Sequence, residues 1–258
     1  ASIDDIYEAF KPLKKHAEEP LRDFYGKYRK LAKPTGLGYP GGLMPRTFVA
    51  YAKKLYQLVV DFETAKLLRE VWLQVYPEME LYFDWLKANC EDRRNGPVMR
   101  KVKRKVEGEI REVEIESPQY AYTSPLGLHR AGCSFTEVAN GVGLQSPSAD
   151  GALIAVLNTV RACYDTSLSS ILLDDALGVR YRPIAFIHDE ILGIVRMDEN
   201  THEYAEEVAR IMEESMRQVC PDVTIRTDKA LMLRWHRDAE PVKGPDGRIA
   251  LWTPKTED

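Results

Sequence analysis

Two adjacent carboxylates stand inside an apolar run. In Ile184 to Val195, IAFIHDEILGIV, the triplet His188-Asp189-Glu190 is flanked on both sides by Ile, Leu, Phe and Val. The β-branched content makes each flank read as a short buried strand. The triplet between them has two readings. It is an ordinary hairpin turn, or it is a pair of carboxylates carried on a rigid tip to hold Mg²⁺, a hard cation that prefers oxygen ligands. Two-residue turns favour Gly or Asn at their centre, and His-Asp-Glu has neither. A second pair, Arg29 and Lys33, is spaced i, i+4 and shares one face if its segment is helical. On their own these cations read as a solvated helix face.

The elements that position these residues follow from periodicity. Residues 2–17 carry Ile3, Ile6, Phe10 and Leu13 at helical spacing, with Pro12 able to break the run. A second helix is expected over about 20–32. Lys33 to Pro45, KPTGLGYPGGLMP, reads as a loop on propensity. Pro45 can open another helix, and a helical pair divided by Pro77 spans 62–91. Residues 93–118 are basic and then acidic around Glu107-Gly108-Glu109. They suit a charge-paired hairpin, or alternatively a broken helix. The second half is mixed. A helix with a Ser N-cap is expected over 148–165, followed by the strand-tip-strand of 183–197. A helix capped by Asn200 or Thr201 comes next, and then a strand at DVTIRTDKALML. Strands with two helices against them indicate an α+β fold with an antiparallel sheet and helices on one face.

The chain has 258 residues, 44% hydrophobic content and a net charge of −4. That suffices for one large domain or two small ones, and argues against coating nucleic acid by bulk charge. No apolar run approaches a membrane span and no signal-peptide pattern is present, so a soluble protein with no membrane partner is expected. Cys90, Cys133, Cys163 and Cys220 form no CxxC pair. Reduced thiols in a cytoplasmic setting are the simplest reading.

Three stretches occur in a telling order: Arg29-x-x-x-Lys33-x-x-x-Leu37-Gly38-Tyr39-Pro40-Gly41-Gly42, then NGVGLQSPSADGALIAV from Asn140, then His188-Asp189-Glu190. This order resembles the family A DNA polymerases, the group of bacterial DNA polymerase I. There the fingers carry RxxxKxxxFGxxYG, a palm helix follows NxxxQGxxAD, and the palm hairpin carries HDE. GYPGG and the ending RWHRDAEPVKGPDGRIALW look most like phage-encoded relatives, for which the compartment would be the host cytoplasm. The resemblance implies a right-hand polymerase fold, with fingers over 1–120, a charged insertion at about 93–118, and a palm over 121–258.

It also implies site roles. Asp189 would be a catalytic metal ligand for Mg²⁺ in a two-metal site, and Glu190 a second catalytic carboxylate. Arg29, Lys33 and Leu37 would bind the incoming nucleotide, and His188, Gln145 and Asn140 the primer–template DNA. Several positions depart from the family. Asn140 lies five residues before Gln145 where the family has four. Pro34 falls inside the fingers helix, and the tyrosine near that helix's end is replaced by Gly41. Tyr7 stands for a histidine in DDIYEAF, and GLHR (Gly127 to Arg130) replaces a more arginine-rich element. The motif DYSxxELR, which supplies the first palm aspartate, does not occur in the sequence.

The expected function is therefore that of a C-terminal subunit or fragment of a template-directed DNA polymerase. It would act on primer–template and dNTPs with a second chain or segment carrying that aspartate, the thumb and any exonuclease. The alternative is a non-catalytic nucleic-acid-binding scaffold remnant. A different phosphotransferase built on the HDE hairpin would leave the Arg29/Lys33 spacing unexplained.

Overall fold

The computed structural model describes residues 9–106 and 109–254. Residues 2–8 of the 2–17 run, Tyr7 among them, and Glu107-Gly108 lie outside the described residues. The chain packs as two compact units, one of residues 1–123 with 127–144, the other of 124–126 with 145–258. Motif order divides the chain at 120; packing divides it at 144–145. The fold is α+β.

The first unit is helical with a ribbon. Lys11–Lys15 forms a 3₁₀ turn with Pro12 in it. Helix α1 (Glu19–Gly38) follows, then α2 (Pro45–Tyr56), α3 (Phe62–Val75) and α4 (Glu78–Asn89). The expected loop from Lys33 is corrected here, because α1 continues through Pro34 to Gly38. A proline inside a helix costs about 3 kcal/mol through its missing N–H. Packing offsets that cost. Pro34 and Gly38 are buried, and a Cβ on Gly38 would lie only 3.2 to 3.3 Å from Leu43, Phe48 and Tyr51. Thr35 Oγ1 adds a hydrogen bond to the Leu31 carbonyl at 2.8 Å.

The core of this unit gathers Tyr39, Phe48, Trp72, Phe83, Leu86 and Val138. Tyr39 stacks on Phe48 with ring centroids 4.5 Å apart, and its hydroxyl donates to the Ala65 carbonyl at 2.6 Å. Burial pushes that phenol up to about 12.

The charged segment is a hairpin, β1 (Val98–Val106) antiparallel to β2 (Glu109–Ser117), in a register that sets Lys101 opposite Glu114 and Lys103 opposite Glu112. Strands β3 (Tyr120–Thr123) and β4 (His129–Cys133) form a second pair. Helix α5 (Phe135–Asn140) then runs into a π-helical turn, Gly141–Gln145.

In the second unit, α6 (Ser146–Ala162) packs on α7 (Thr201–Arg217). They approach closely at Gly151, where a Cβ would lie 2.2 Å from Met216 Sδ. Asn158 Nδ2 donates to Ser215 Oγ at 3.1 Å in the same interface. Helix α6 starts two residues before the expected Ser148, at Ser146, with Pro147 in its first turn. Asp150 does not serve that helix end. It is buried and accepts from the Leu126 amide at 2.7 Å. Nor does Asn200 cap α7 through its side chain.

Strands β5 (Tyr181–Ile187) and β6 (Glu190–Val195) form the central hairpin, and β5 lies against α6. The expected strand at DVTIRTDKALML shrinks to β7 (Leu231–Met232), paired in parallel with β8 (Leu251–Trp252) rather than with the hairpin. Side chains of α7 hold the preceding residues instead of a ladder. The Thr227 amide donates to Glu213 at 2.9 Å, and Lys229 Nζ reaches Glu206 at 2.8 Å. Among the described residues the sheets are four separate two-stranded pairs, so the single antiparallel sheet expected from sequence is not formed.

The described helices include none long and apolar enough to cross a membrane. All four cysteines are free thiols. Burial pushes those of Cys90, Cys133 and Cys163 up, which favours the protonated thiol.

Candidate functional site

The hairpin closes as tightly as a hairpin can. Ile187 pairs with Glu190, leaving only His188 and Asp189 in the loop. His188 has φ +56°, a left-handed conformation in which a non-glycine residue is strained. The turn and the carboxylate tip are thus the same feature. Asp189 stands at the apex, and Glu190 is the first residue of β6.

Below the tip, the register shifts between Pro183 and Ala185. Proline cannot donate to the ladder, and an extra residue here bends and twists the strand. Tyr181 lies over Gly193, whose Cβ would fall 2.2 Å from the tyrosine ring. The far end is clamped by ions. Arg196 holds Asp175 through two bonds of 2.8 and 2.7 Å. Arg180 adds a third at 3.0 Å, and Arg196 Nε reaches Asp198 at 2.7 Å. The Arg196 guanidinium holds the Asp175 carboxyl far below the usual carboxylate range.

The expectation that both strands are buried is corrected. Ile184 is 62% exposed, Ile194 60% and Phe186 39%. The hairpin has no third strand on either edge among the described residues.

One face of the hairpin opens on a cleft of about 690 Å³. Asp189, Glu190 and Phe186 line it from the hairpin, Ala152 and Ala155 from α6, and Met212 and Met216 from α7. Its remaining wall is the 225–241 segment, with Arg226, Asp228, Trp235, His236 and Arg237. Sequence reasoning passed over these five as site residues. The signal was present, since RTDKALMLRWHR concentrates cations around a tryptophan. No three His, Cys, Asp or Glu side chains converge as metal ligands do among the described residues. Adjacent exposed carboxylates have the hard-oxygen chemistry that suits Mg²⁺.

The other expected site residues fall in two groups. Arg29, Lys33 and Leu37 sit on α1 of the first unit at i, i+4, i+8, all exposed, while Pro34 and Gly38 on the same helix are buried. Arg29 donates to the Tyr25 hydroxyl at 3.3 Å, and neither cation forms an ion pair among the described residues. Leu37 is 51% exposed.

Asn140 is also in the first unit, where its amide donates to the Thr136 carbonyl at 3.1 Å and packs on Gly41. Gln145 is exposed and ends the π turn. Tyr82 accounts for that turn. Its hydroxyl donates to the Ala139 carbonyl at 2.8 Å and accepts from the Gly143 amide at 3.1 Å, separating two groups that an α-helix would join directly. Tyr82 had no signal in sequence. His188, Asp189 and Glu190 belong to the second unit with Gln145.

No protein-family model matches the chain, and no curated protein matches its sequence.

Proposed function

We propose that this chain carries the fingers and the palm hairpin of a template-directed DNA polymerase of the family A type. The observation that carries the reading is the exposed stripe Arg29–Lys33–Leu37 on one helix. Two cations without carboxylate partners among the described residues are continued by a half-exposed leucine. Triphosphate followed by sugar is a ligand with that order of chemistry. Two further observations agree with it. Helix α1 passes through Pro34 without losing the stripe. The π turn before Gln145 takes up one residue more than an α-helical turn, the difference between this chain's Asn140–Gln145 spacing and the family's.

In this reading phosphoryl transfer is catalysed by positioning and charge neutralisation. Arg29 and Lys33 bind the triphosphate of the incoming nucleotide, and Leu37 gives apolar contact beside its sugar. Asp189, with Glu190 beside it, is the hairpin's ligand for Mg²⁺, which when bound stabilises the charge of the transferring phosphoryl group. His188 and Gln145 contact the primer–template. Asn140 adds a contact through the part of its amide not used on Thr136. The second metal-binding aspartate comes from polypeptide outside these 258 residues, as do the thumb and any exonuclease. An exposed apolar hairpin edge suits pairing with that polypeptide.

The test is Mg²⁺-dependent primer extension by this chain, alone and mixed with polypeptide bearing a DYSxxELR-like strand. Extension by the mixture that is lost in Asp189→Ala supports the reading. Equal extension with Asp189 or Ala at the tip rejects it and leaves the scaffold alternative.

A further inference from the structure

The cleft beside the hairpin carries charges that the fold itself does not use. Elsewhere in the second unit, Arg180 and Arg196 are tied to Asp175, Arg210 to Glu207 and Glu214, and Arg248 to Glu203. Arg226 and Arg237 line the same cavity as Asp189, Glu190 and Asp228, yet none of these five forms an ion pair among the described residues. Side chains of both signs therefore line one cavity together with Phe186, Met212 and Met216. Apolar neighbours strengthen any electrostatic contact made beside them.

The cationic wall is held in place. The Thr227 amide is anchored on Glu213 at 2.9 Å, and Lys229 on Glu206 at 2.8 Å. Arg226, Thr227 and Asp228 all line the cavity beside the α7 residues Met212 and Met216. Further on, the His236 ring lies tilted against Trp252 with ring centroids 4.9 Å apart. Its Nδ1 accepts from the Asp238 amide at 3.2 Å, which fixes the turn that carries Trp235 and Arg237.

We infer that Arg226 and Arg237 are phosphate-binding residues for a nucleic-acid strand whose end lies at Asp189, with the Trp235 ring against a sugar or base of that strand. A ligand that presents phosphates to arginines, an apolar face to an indole and a metal-bound end to carboxylates matches the three chemistries of the cleft. A cavity of about 690 Å³ has room for one nucleotide unit. This inference rests on the nucleotidyl-transfer reading for the role of Asp189, but its test needs no turnover.

The experiment is fluorescence anisotropy of the full chain with a labelled primer–template, titrated from about 50 to 200 mM salt. Arg226→Ala and Arg237→Ala should each weaken binding about tenfold and lower the salt slope by about 1. Arg226→Lys and Arg237→Lys should restore the slope, which separates a phosphate contact from a folding defect. Arg234→Ala removes an exposed arginine that does not line this cleft and should change neither quantity. Unchanged affinity and slope in both alanine variants overturns the inference. So does an equal loss in Arg234→Ala, or absence of wild-type binding at the lowest salt. Binding that depends on both arginines, without nucleotide incorporation under any condition, supports this inference and rejects the polymerase reading. Incorporation indifferent to both arginines does the reverse.

Discussion

The phenol of Tyr82 accepts a hydrogen bond from the backbone amide of Gly143 at 3.1 Å, although they are far apart in sequence. The same hydroxyl donates to the Ala139 carbonyl, so one side chain holds open a helical turn between Asn140 and Gln145. Tyr82→Phe should leave both backbone groups to water or to a re-formed α turn. The expected loss is about 0.5–1.5 kcal/mol, the net worth of an ordinary hydrogen bond, read from urea unfolding of the variant against the parent. A variant as stable as the parent would show that the turn stands without the tyrosine.

Asp189→Ala should abolish incorporation in the reconstituted enzyme and leave primer–template binding largely intact. Losing a metal ligand removes transition-state stabilisation of several kcal/mol. Glu190→Ala should do less damage. Single-turnover extension measures both, and turnover within about tenfold of the parent for Asp189→Ala removes it from the catalytic set.

Arg29→Ala and Lys33→Ala should weaken use of the incoming nucleotide by about 1.5–3 kcal/mol each, one charge-assisted phosphate contact apiece. The loss should appear in nucleotide kinetics, with DNA affinity preserved. Leu37→Tyr should raise dideoxynucleotide acceptance, because a phenol can supply a polar contact beside the sugar that leucine lacks. If DNA affinity falls while nucleotide kinetics hold, the stripe on α1 faces the template instead.

The Asp175–Arg196 clamp makes an acid-dependent contribution to the hairpin. Arg196 lowers the Asp175 carboxyl from its ordinary 3.8. A group depressed in the folded state stabilises fully above its unfolded value, and that contribution is lost as pH falls toward the folded value. Asp175→Asn should therefore lower stability at neutral pH and flatten its decline below about pH 4. Unfolding curves between pH 7 and 2 report this, and parallel curves for both proteins would assign the acid sensitivity elsewhere.

Much of the secondary structure was legible because local signals agreed with one another. Pro45 opens a helix, Pro77 divides a pair, the 98–117 ribbon pairs in a register that sets Lys101 opposite Glu114, and apolar flanks make strands on either side of His188. The tip position of Asp189 follows from the same pattern. Where the local rules failed, long-range packing overrode them. Pro34 and the glycines after it signal a loop, yet the helix runs on because its small residues let Leu43, Phe48 and Tyr51 close over it. Gly41 and Gly42 look like flexible punctuation, but one packs on Asn140. The other, at φ +73°, has Phe135 where a Cβ would be.

The sequence by itself determined which residues carry charge and which short segments become helix or strand, since spacing and capping act within a few residues. It also determined the single-face arrangement of Arg29, Lys33 and Leu37 once a helix is granted. Only the tertiary structure decided that the hairpin strands are exposed, because burial depends on what lies alongside and not on apolar content. Only it decided that residues 225–237 form a wall of the Asp189 cleft rather than a third strand. That choice rests on α7, where Glu213 takes the Thr227 amide that a ladder would have used and Glu206 holds the Lys229 side chain. The π turn has the same origin: a hydroxyl from a distant helix enters between two backbone groups that the local sequence would have paired.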